Sequence, residues 1–208
     1  MALTLQRVCA AVVGFTLASS PIVGCQRASE EYNARTALNE EFLQAVNNER
    51  WADAVGLLNK GADPNVPVDA GDMPPVILAV MAEDDHVLLK AMLAHEVSLN
   101  VVDPFSFGNP LFTAAGEGDE IAAQLLLDAG MEVNARNQNG WTPLMAACAL
   151  DGDLATVRAL LDAGADPALG TPEGRMRPLD LMASSQDRED GDAIVGLLRA
   201  AMVAGGGG

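Results

Sequence analysis

Aromatic side chains are scarce in this sequence: Phe, Trp and Tyr make up 4% of 208 residues, of which 50% are hydrophobic. β-Sheets generally prefer β-branched and aromatic side chains on their pleated faces, whereas Ala and Leu suit helices. The composition therefore favours closely packed helices. The length is enough for one core or one short array of repeats, so a second full domain is not expected.

Basic residues are also few. The 12 Lys and Arg residues face 29 Asp and Glu residues, which gives a formal net charge of −17. Such a charge repels phosphate backbones and anionic headgroups, so nucleic acid is not an expected partner. A basic protein is the better electrostatic match, although an acidic surface can also serve solubility alone.

Residues suited to catalysis or metal binding are nearly absent. The two histidines, His86 and His95, are half a turn out of phase on a helix, so they cannot share a metal ion and are interpreted as surface or partly packed side chains. The acidic segment 187–192 lacks the ligand spacing of a calcium loop, and the chain has no phosphate-binding glycine loop. We predict no enzyme activity, no catalytic residue, no metal, no cofactor and no small-molecule substrate.

The first 24 residues have the pattern of a targeting segment. Arg7 precedes an uncharged run of 17 residues from Val8 to Gly24, as in a signal peptide. The run is at the lower limit of the roughly 17–25 residues that span a bilayer. Because Pro21 and Gly24 also interrupt it, removal is predicted rather than permanent spanning.

The segment Ile22–Cys25 resembles the signal of bacterial lipoproteins, in which small residues precede a cysteine that is acylated and becomes the first residue. The resemblance implies lipid attachment at Cys25, and Gln26 after it implies the outer membrane. Ordinary secretory cleavage near residues 18–20 and an uncleaved anchor remain alternatives. Loss of Cys9 with the signal would leave Cys148 without an internal disulfide partner.

Residues 25–35 are too polar to bury a core, and we predict a flexible tether there. From about residue 36 the chain repeats itself. Pro75, Pro110, Pro143 and Pro178 recur at intervals of 35, 33 and 35 residues. The copies are EEFLQAVNNERWADAVGLLNKGADPN (40–65), MPPVILAVMAEDDHVLLKAMLAHEVSLN (73–100), GNPLFTAAGEGDEIAAQLLLDAGMEVN (108–134) and NGWTPLMAACALDGDLATVRALLDAGADP (139–167), with a looser fifth copy from Met176.

These copies resemble the ankyrin repeat family over residues 36–204. Within the copy at 139–167, Thr142 suits the cap of a first helix and Asp153 the start of a second helix, while Gly164 suits a left-handed end. Small residues such as Cys148 let the next repeat approach closely. The resemblance implies an all-α solenoid of about five helix–turn–helix repeats with short hairpin-like fingers. The glycine tail 205–208 is predicted to be disordered.

The chain departs from the family pattern in places. The family commonly has His after Thr-Pro-Leu, whereas this chain has Ile77, Phe112, Met145 and Asp180. We therefore expect the usual polar bridge between repeats to be replaced mainly by apolar packing. Repeat two should be the least regular, because Glu96 replaces a glycine that its siblings have at a helix end.

The remaining function for such a scaffold is binding, through the concave surface formed by the fingers and the inner helices. Large apolar residues ringed by charge are typical of a protein interface. We predict partner-binding roles for Met73, Leu78, Met81, Phe105, Phe107, Trp141, Leu150 and Met176, and place Gly108, Gln44, Thr113, Glu117 and Ala146 on the same surface. Alternatively, Trp141 and Phe107 pack on neighbouring fingers and only shield the stack.

The resulting hypothesis is a protein-binding module of the bacterial envelope, located in the periplasm and lipid-anchored to the outer membrane. It would be an immunity or inhibitor protein that blocks a periplasmic enzyme, or an accessory factor in envelope stress defence. A basic protein is the partner that its acidic charge favours. The alternative is a structural or assembly scaffold that tethers a complex to the membrane.

Overall fold

The computed structural model describes residues 21–69, 71–106, 108–150, 152–172, 176–182 and 190–205. Within these residues the chain forms paired α-helices and no strand, as the repeat pattern predicts. The helices are α1 (Pro21–Asn47), α2 (Trp51–Asn59), α3 (Pro75–Val80), α4 (Val87–Ala94), α5 (Pro110–Glu117), α6 (Glu120–Asp128), α7 (Pro143–Ala149), α8 (Leu154–Asp162), α9 (Pro178–Met182) and α10 (Gly191–Gly205).

Side-chain caps begin several of these helices. The Thr142 hydroxyl accepts a hydrogen bond from the Met145 amide at 3.3 Å, and Pro143 follows it at the first helical position, where a missing N–H has no cost. Asp119 and Asp153 cap α6 and α8 in the same way, each accepting from the amide three residues ahead. The predicted starts at Thr142 and Asp153 are confirmed.

In each pair the first helix (α1, α3, α5, α7, α9) is the inner helix and the second (α2, α4, α6, α8, α10) is the outer helix. Residues in the left-handed conformation follow the outer helices. Gly61, Gly130 and Gly164 have φ values of 97°, 89° and 92°, which glycine adopts without steric cost. Glu96 occupies the corresponding place after α4 with φ of 57°. The expected strain in repeat two is therefore present, and Asp85 and His86 in the same repeat also have positive φ.

The helix pairs stack in chain order, so that each inner helix packs on the next inner helix. The core between them is built from small and aliphatic side chains that include the fully buried Leu58, Ile77, Leu111, Leu144 and Leu160. Cys148 lies in this core with no exposed surface, which confirms its interpretation as a small buried residue. Consecutive outer helices also pack on each other, but α4 and α6 contact each other less than the other consecutive outer helices do.

Helix α1 corrects the expected conformation of residues 25–35. This segment is not an irregular tether but part of the continuous helix Pro21–Asn47. Side chains from 28 to 37 are exposed, so packing does not impose the helix; Ala, Glu, Arg and Gln in the segment are strong helix formers. Most of the predicted signal segment 1–24 and of the glycine tail lies outside the described residues, and the domain boundaries stay predictions.

Polar links between repeats are present, and the expectation that they would be replaced mainly by apolar packing is only half right. Ile77, Phe112 and Met145 are buried as expected. However, the Asn134 side chain accepts from the Asp166 amide at 2.9 Å and donates to the Gly164 carbonyl at 3.2 Å. The polar connection therefore runs through asparagines at the repeat ends rather than through histidine.

Candidate partner-binding surface

The second finger, residues 101–109, presents an exposed aromatic ring on a fixed loop. One oxygen of the Asp103 carboxylate accepts from the Phe105 amide at 2.8 Å, and the other accepts from the Ser106 hydroxyl at 2.6 Å. The Asp103 amide donates to the Gly108 carbonyl at 2.8 Å and closes the finger. Asp103 is buried, whereas the Phe105 side chain is 75% exposed. The loop geometry thus holds an apolar side chain out in solvent.

Hydrogen bonds also join consecutive fingers. The third finger is the loop that leads into α7, and the fourth is the loop that leads into α9. The Asn137 side chain on the third finger donates to the Ser106 carbonyl on the second at 3.2 Å. The Arg136 guanidinium donates to the carbonyls of Gly140 in its own finger and Gly170 in the fourth, each at 2.7 Å. These links connect three fingers, so a partner would meet a preformed surface and lose little affinity to loop ordering.

The inner helices contribute fewer exposed positions than the repeat register predicts. Thr113 and Ala146, expected on the surface, are buried, because adjacent inner helices approach closely there. Leu150 lies over Gly116 of the preceding repeat: a Cβ at Gly116 would come within 2.9 Å of the Leu150 Cδ1. Leu150 remains 51% exposed, so it partly fills a slot and partly faces solvent.

The other predicted surface residues differ in exposure. Met81 and Met176 are exposed, at 48% and 37%, as are Gln44 and Glu117. Met73, Leu78 and Trp141 are half-buried, and Leu78 and Trp141 pack against the core, which fits the shielding alternative for Trp141. Gly108 is buried. Phe107 lies outside the described residues. Their roles in binding stay predictions.

The chemistry of the described residues offers no metal centre. Across the described ranges, no group of three or more His, Cys, Asp or Glu side chains is arranged to hold a metal ion. The two histidines are partly packed: the His86 Nε2 lies 2.7 Å from a carboxylate oxygen of Asp119, and the His95 Nε2 lies 3.4 Å from the Asn59 side-chain oxygen.

None of the helices in the described part is long and apolar enough to cross a bilayer.

The clearest charge effect lies at the start of α9. Arg177 donates hydrogen bonds to the Asp180 carboxylate from its backbone amide at 3.0 Å and from its Nε at 3.2 Å. These bonds from the Arg177 side chain and backbone lower the pKa of Asp180 below its usual value. Arg177 is thereby paired within its own repeat.

Sequence reasoning found two of the residues that shape the fingers, Asp63 and Asp166, and missed Asp103 and Asn137. Asp63, Asp103, Asn137 and Asp166 each accept a hydrogen bond from the amide two residues ahead. This is the Asx-turn geometry that Asp and Asn favour at chain reversals. The signal was present in the sequence, because an Asp or Asn follows each outer helix or begins each finger.

The sequence of the stacked helix pairs is similar to that of known proteins. A sequence model described as ankyrin repeats (3 copies) matches residues 76–170. The ankyrin repeat protein YahD of Escherichia coli (strain K12) is 35% identical over 138 residues, which cover 64% of this chain and 67% of YahD. The chain belongs to the ankyrin repeat family. This ankyrin repeat protein is accordingly a protein-interaction module of a generally non-catalytic family.

Two further relatives match smaller parts of this chain. The mitochondrial disaggregase of Bos taurus is 40% identical over 83 residues, which cover 40% of this ankyrin chain and 12% of that protein. Protein phosphatase 1 regulatory subunit 27 of Mus musculus is 34% identical over 89 residues, which cover 43% of this chain and 56% of that protein. The similarity therefore supports the repeat scaffold and not a shared partner.

Proposed function

We propose that this chain is a non-catalytic, protein-binding module of the bacterial cell envelope that grips its partner with the finger side of the repeat stack. The carrying observation is Phe105, a 75% exposed ring on a finger that a buried aspartate holds in place. Large aromatic side chains on preformed surfaces commonly supply most of the energy of a protein interface. Met81, Leu150 and Met176 add exposed apolar surface on other repeats.

The envelope location rests on the segment Ile22–Cys25 and its resemblance to lipoprotein signals. In this proposal Cys25 carries the lipid and the domain faces the periplasm from the outer membrane. Mass spectrometry of the purified protein should find an acylated Cys25 as the first residue. A Cys25→Ala variant should move from the membrane fraction to the soluble fraction, and recovery of an intact chain that begins at Met1 would refute the lipid anchor.

The proposed role is inhibition of a periplasmic enzyme, or service as an accessory factor in envelope stress defence, because an acidic module associates rapidly with a basic partner. A tethering scaffold is the second candidate. It would need a second surface, and Val87 and Ile121 supply a candidate, because they are 50% and 55% exposed in the first turns of two outer helices.

Site-specific crosslinking tests the binding face. A photoreactive phenylalanine analogue at position 105 should crosslink one protein in the cells that produce this chain, while the same analogue at the 80% exposed Val203 should not. Phe105→Ala should weaken binding of that protein about thirtyfold, since aromatic hot spots contribute roughly 2 kcal/mol or more. Equal crosslinking from both positions, or none from position 105, would count against the proposal.

The same experiment separates the two roles. An inhibitor should crosslink through position 105 and lose its effect on the partner's enzymatic activity with Phe105→Ala. A scaffold should also crosslink a second protein from position 87 or 121, and Val87→Ser with Ile121→Ser should release that second protein alone.

A further inference from the structure

A groove of about 490 Å³ lies between the end of α1 and the first finger, residues 66–73. Its apolar wall comes from Leu43, Pro67, Val68 and Met73, and its polar rim from Asn47, Asp69 and Asp72. Leu43, Val68 and Met73 are half-buried, while both aspartates are exposed. The groove thus combines an apolar strip with two carboxylates.

The two groove carboxylates have no paired side chain within the part of the chain that the structure describes. Among the residues that the structure describes, the side chains of Asp69 and Asp72 form no hydrogen bond or ion pair; the only bond between them joins the Asp72 amide to the Asp69 carbonyl at 3.0 Å. By contrast, Asp63 just before the finger lies 3.9 Å from Arg35 and accepts from the Asn65 amide. The two groove carboxylates are therefore available to a cation from outside.

Bases are few in the repeats that follow the groove, and of the two bases in the first repeat Arg50 pairs with Asp53 at 3.0 Å while Lys60 lies at the end of the outer helix α2. Residues 61–135 contain 13 acidic residues and one basic residue, Lys90, so their formal charge is 1 − 13 = −12. Lys90 lies on the outer helix α4, and its ammonium donates to the Asp85 carbonyl at 3.1 Å. The next base along the chain, Arg136, donates hydrogen bonds to the carbonyls of Gly140 and Gly170.

We infer that this first-finger groove binds a lysine or arginine side chain of the protein partner. The aliphatic stem of such a side chain would lie on the apolar wall, as long basic side chains do at interfaces. Its charged head would reach Asp69 and Asp72, where the field of repeats two and three adds long-range attraction. The inference rests on the proposed function and specifies the chemistry of the partner.

The test uses the full chain and two matched peptides. Each 12-residue peptide carries a central tryptophan and four arginines, or four citrullines, which keep the shape of arginine without its charge. Binding is followed by ¹⁵N NMR and fluorescence anisotropy at low salt. The arginine peptide should bind about tenfold more tightly than the citrulline peptide and shift the amides of Leu43, Asp69 and Asp72.

A double variant with a matched control locates the effect. Asp69→Asn with Asp72→Asn should weaken binding of the arginine peptide about fivefold to tenfold. Glu120→Gln with Asp128→Asn removes the same two charges from the outer helix α6 and should change binding less than about twofold, because screening weakens distant charges.

Three results would overturn the inference: equal binding of the two peptides, equal loss in both double variants, or displacement of the arginine peptide by calcium chloride beyond that by sodium chloride at the same ionic strength. The last result would mean that the carboxylates prefer a metal ion. None of these affects crosslinking from position 105, so the inference can fail while the proposed function stands. Absence of that crosslink would instead remove the proposed function.

Discussion

Repeat four starts its inner helix with the hydroxyl cap of Thr142 and ends its outer helix with Gly164, whereas repeat two starts with Pro74, which has no capping side chain, and ends with Glu96 in a left-handed conformation. Both repeats nevertheless form the same helix pair and stack in the same array. Packing against neighbours therefore maintains the geometry of repeat two where its local sequence does not.

The largest effect should come from the close approach of backbone atoms at Gly152 in repeat four. A Cβ at Gly152 would come within 2.4 Å of the Ala147 Cα and 2.7 Å of the Ala115 carbonyl oxygen. Backbone atoms cannot rotate away, so Gly152→Ala should lower the free energy of unfolding by about 3 kcal/mol. Urea unfolding followed by circular dichroism measures this.

Gly56 provides the matched control for that variant. It lies inside α2, and a Cβ there would meet nothing within 4 Å. Gly56→Ala should therefore raise the free energy of unfolding by about 0.5–1 kcal/mol. Similar losses in both variants would show that the close approach at Gly152 is not what matters.

Exchanging the residues at the ends of the outer helices should make repeats two and four more alike in their local stability. Glu96→Gly relieves a left-handed non-glycine residue and should stabilise the protein by about 1 kcal/mol. Gly164→Ala introduces the same problem in repeat four and should destabilise it by about 1 kcal/mol. Thermal unfolding of the two variants and their combination would contradict this view if Glu96→Gly were neutral or destabilising.

A smaller effect should follow from the polar link between repeats two and three. His86 and Asp119, with side chains 16% and 24% exposed, bridge the outer layer where α4 and α6 contact each other least. A double-mutant cycle with His86→Ala and Asp119→Ser, which keeps a capping hydroxyl for α6, should give a coupling energy of about 0.5–1.5 kcal/mol. Strictly additive effects would mean that the pair does not couple the repeats.

The smallest effect should come from Asp180, at the start of the fifth repeat. Its pKa is lowered in the fold, so its stabilising contribution is present above the usual pKa of a carboxyl group and is lost as pH falls through the lower folded value. Asp180→Asn should therefore be slightly less stable than wild type at pH 7, and the difference should shrink as the pH falls through the folded pKa of Asp180. Because Asp180 is exposed, solvent screening keeps the effect small, and a difference that grows in acid would contradict it.

The sequence predicted the architecture because each repeat states it independently. Prolines at regular spacing, the Thr142 cap and the glycines that end the outer helices identified the helix pairs and their order, and the structure confirms them. The Glu96 strain was also predictable, because sibling repeats showed which residue belonged there.

The details of the surface were less predictable, because they depend on contacts between repeats. The register placed Thr113 and Ala146 outward, yet adjacent inner helices cover both. The exposure of Phe105 depends on how the Asp103 carboxylate distributes its hydrogen bonds, which one repeat cannot reveal. The helix through residues 25–35 was not predicted. The low apolar content of this segment suggested an irregular tether, although the same residues favour helix.

Helix α1 has a mechanical consequence for an anchored protein. The helical stretch from Cys25 to Asn39 rises by 1.5 Å per residue, so it spans roughly 20 Å. With a lipid on Cys25, as proposed, this stretch would act as a stiff spacer rather than a flexible tether. It would fix both the height and the tilt at which the fingers meet a partner above the bilayer.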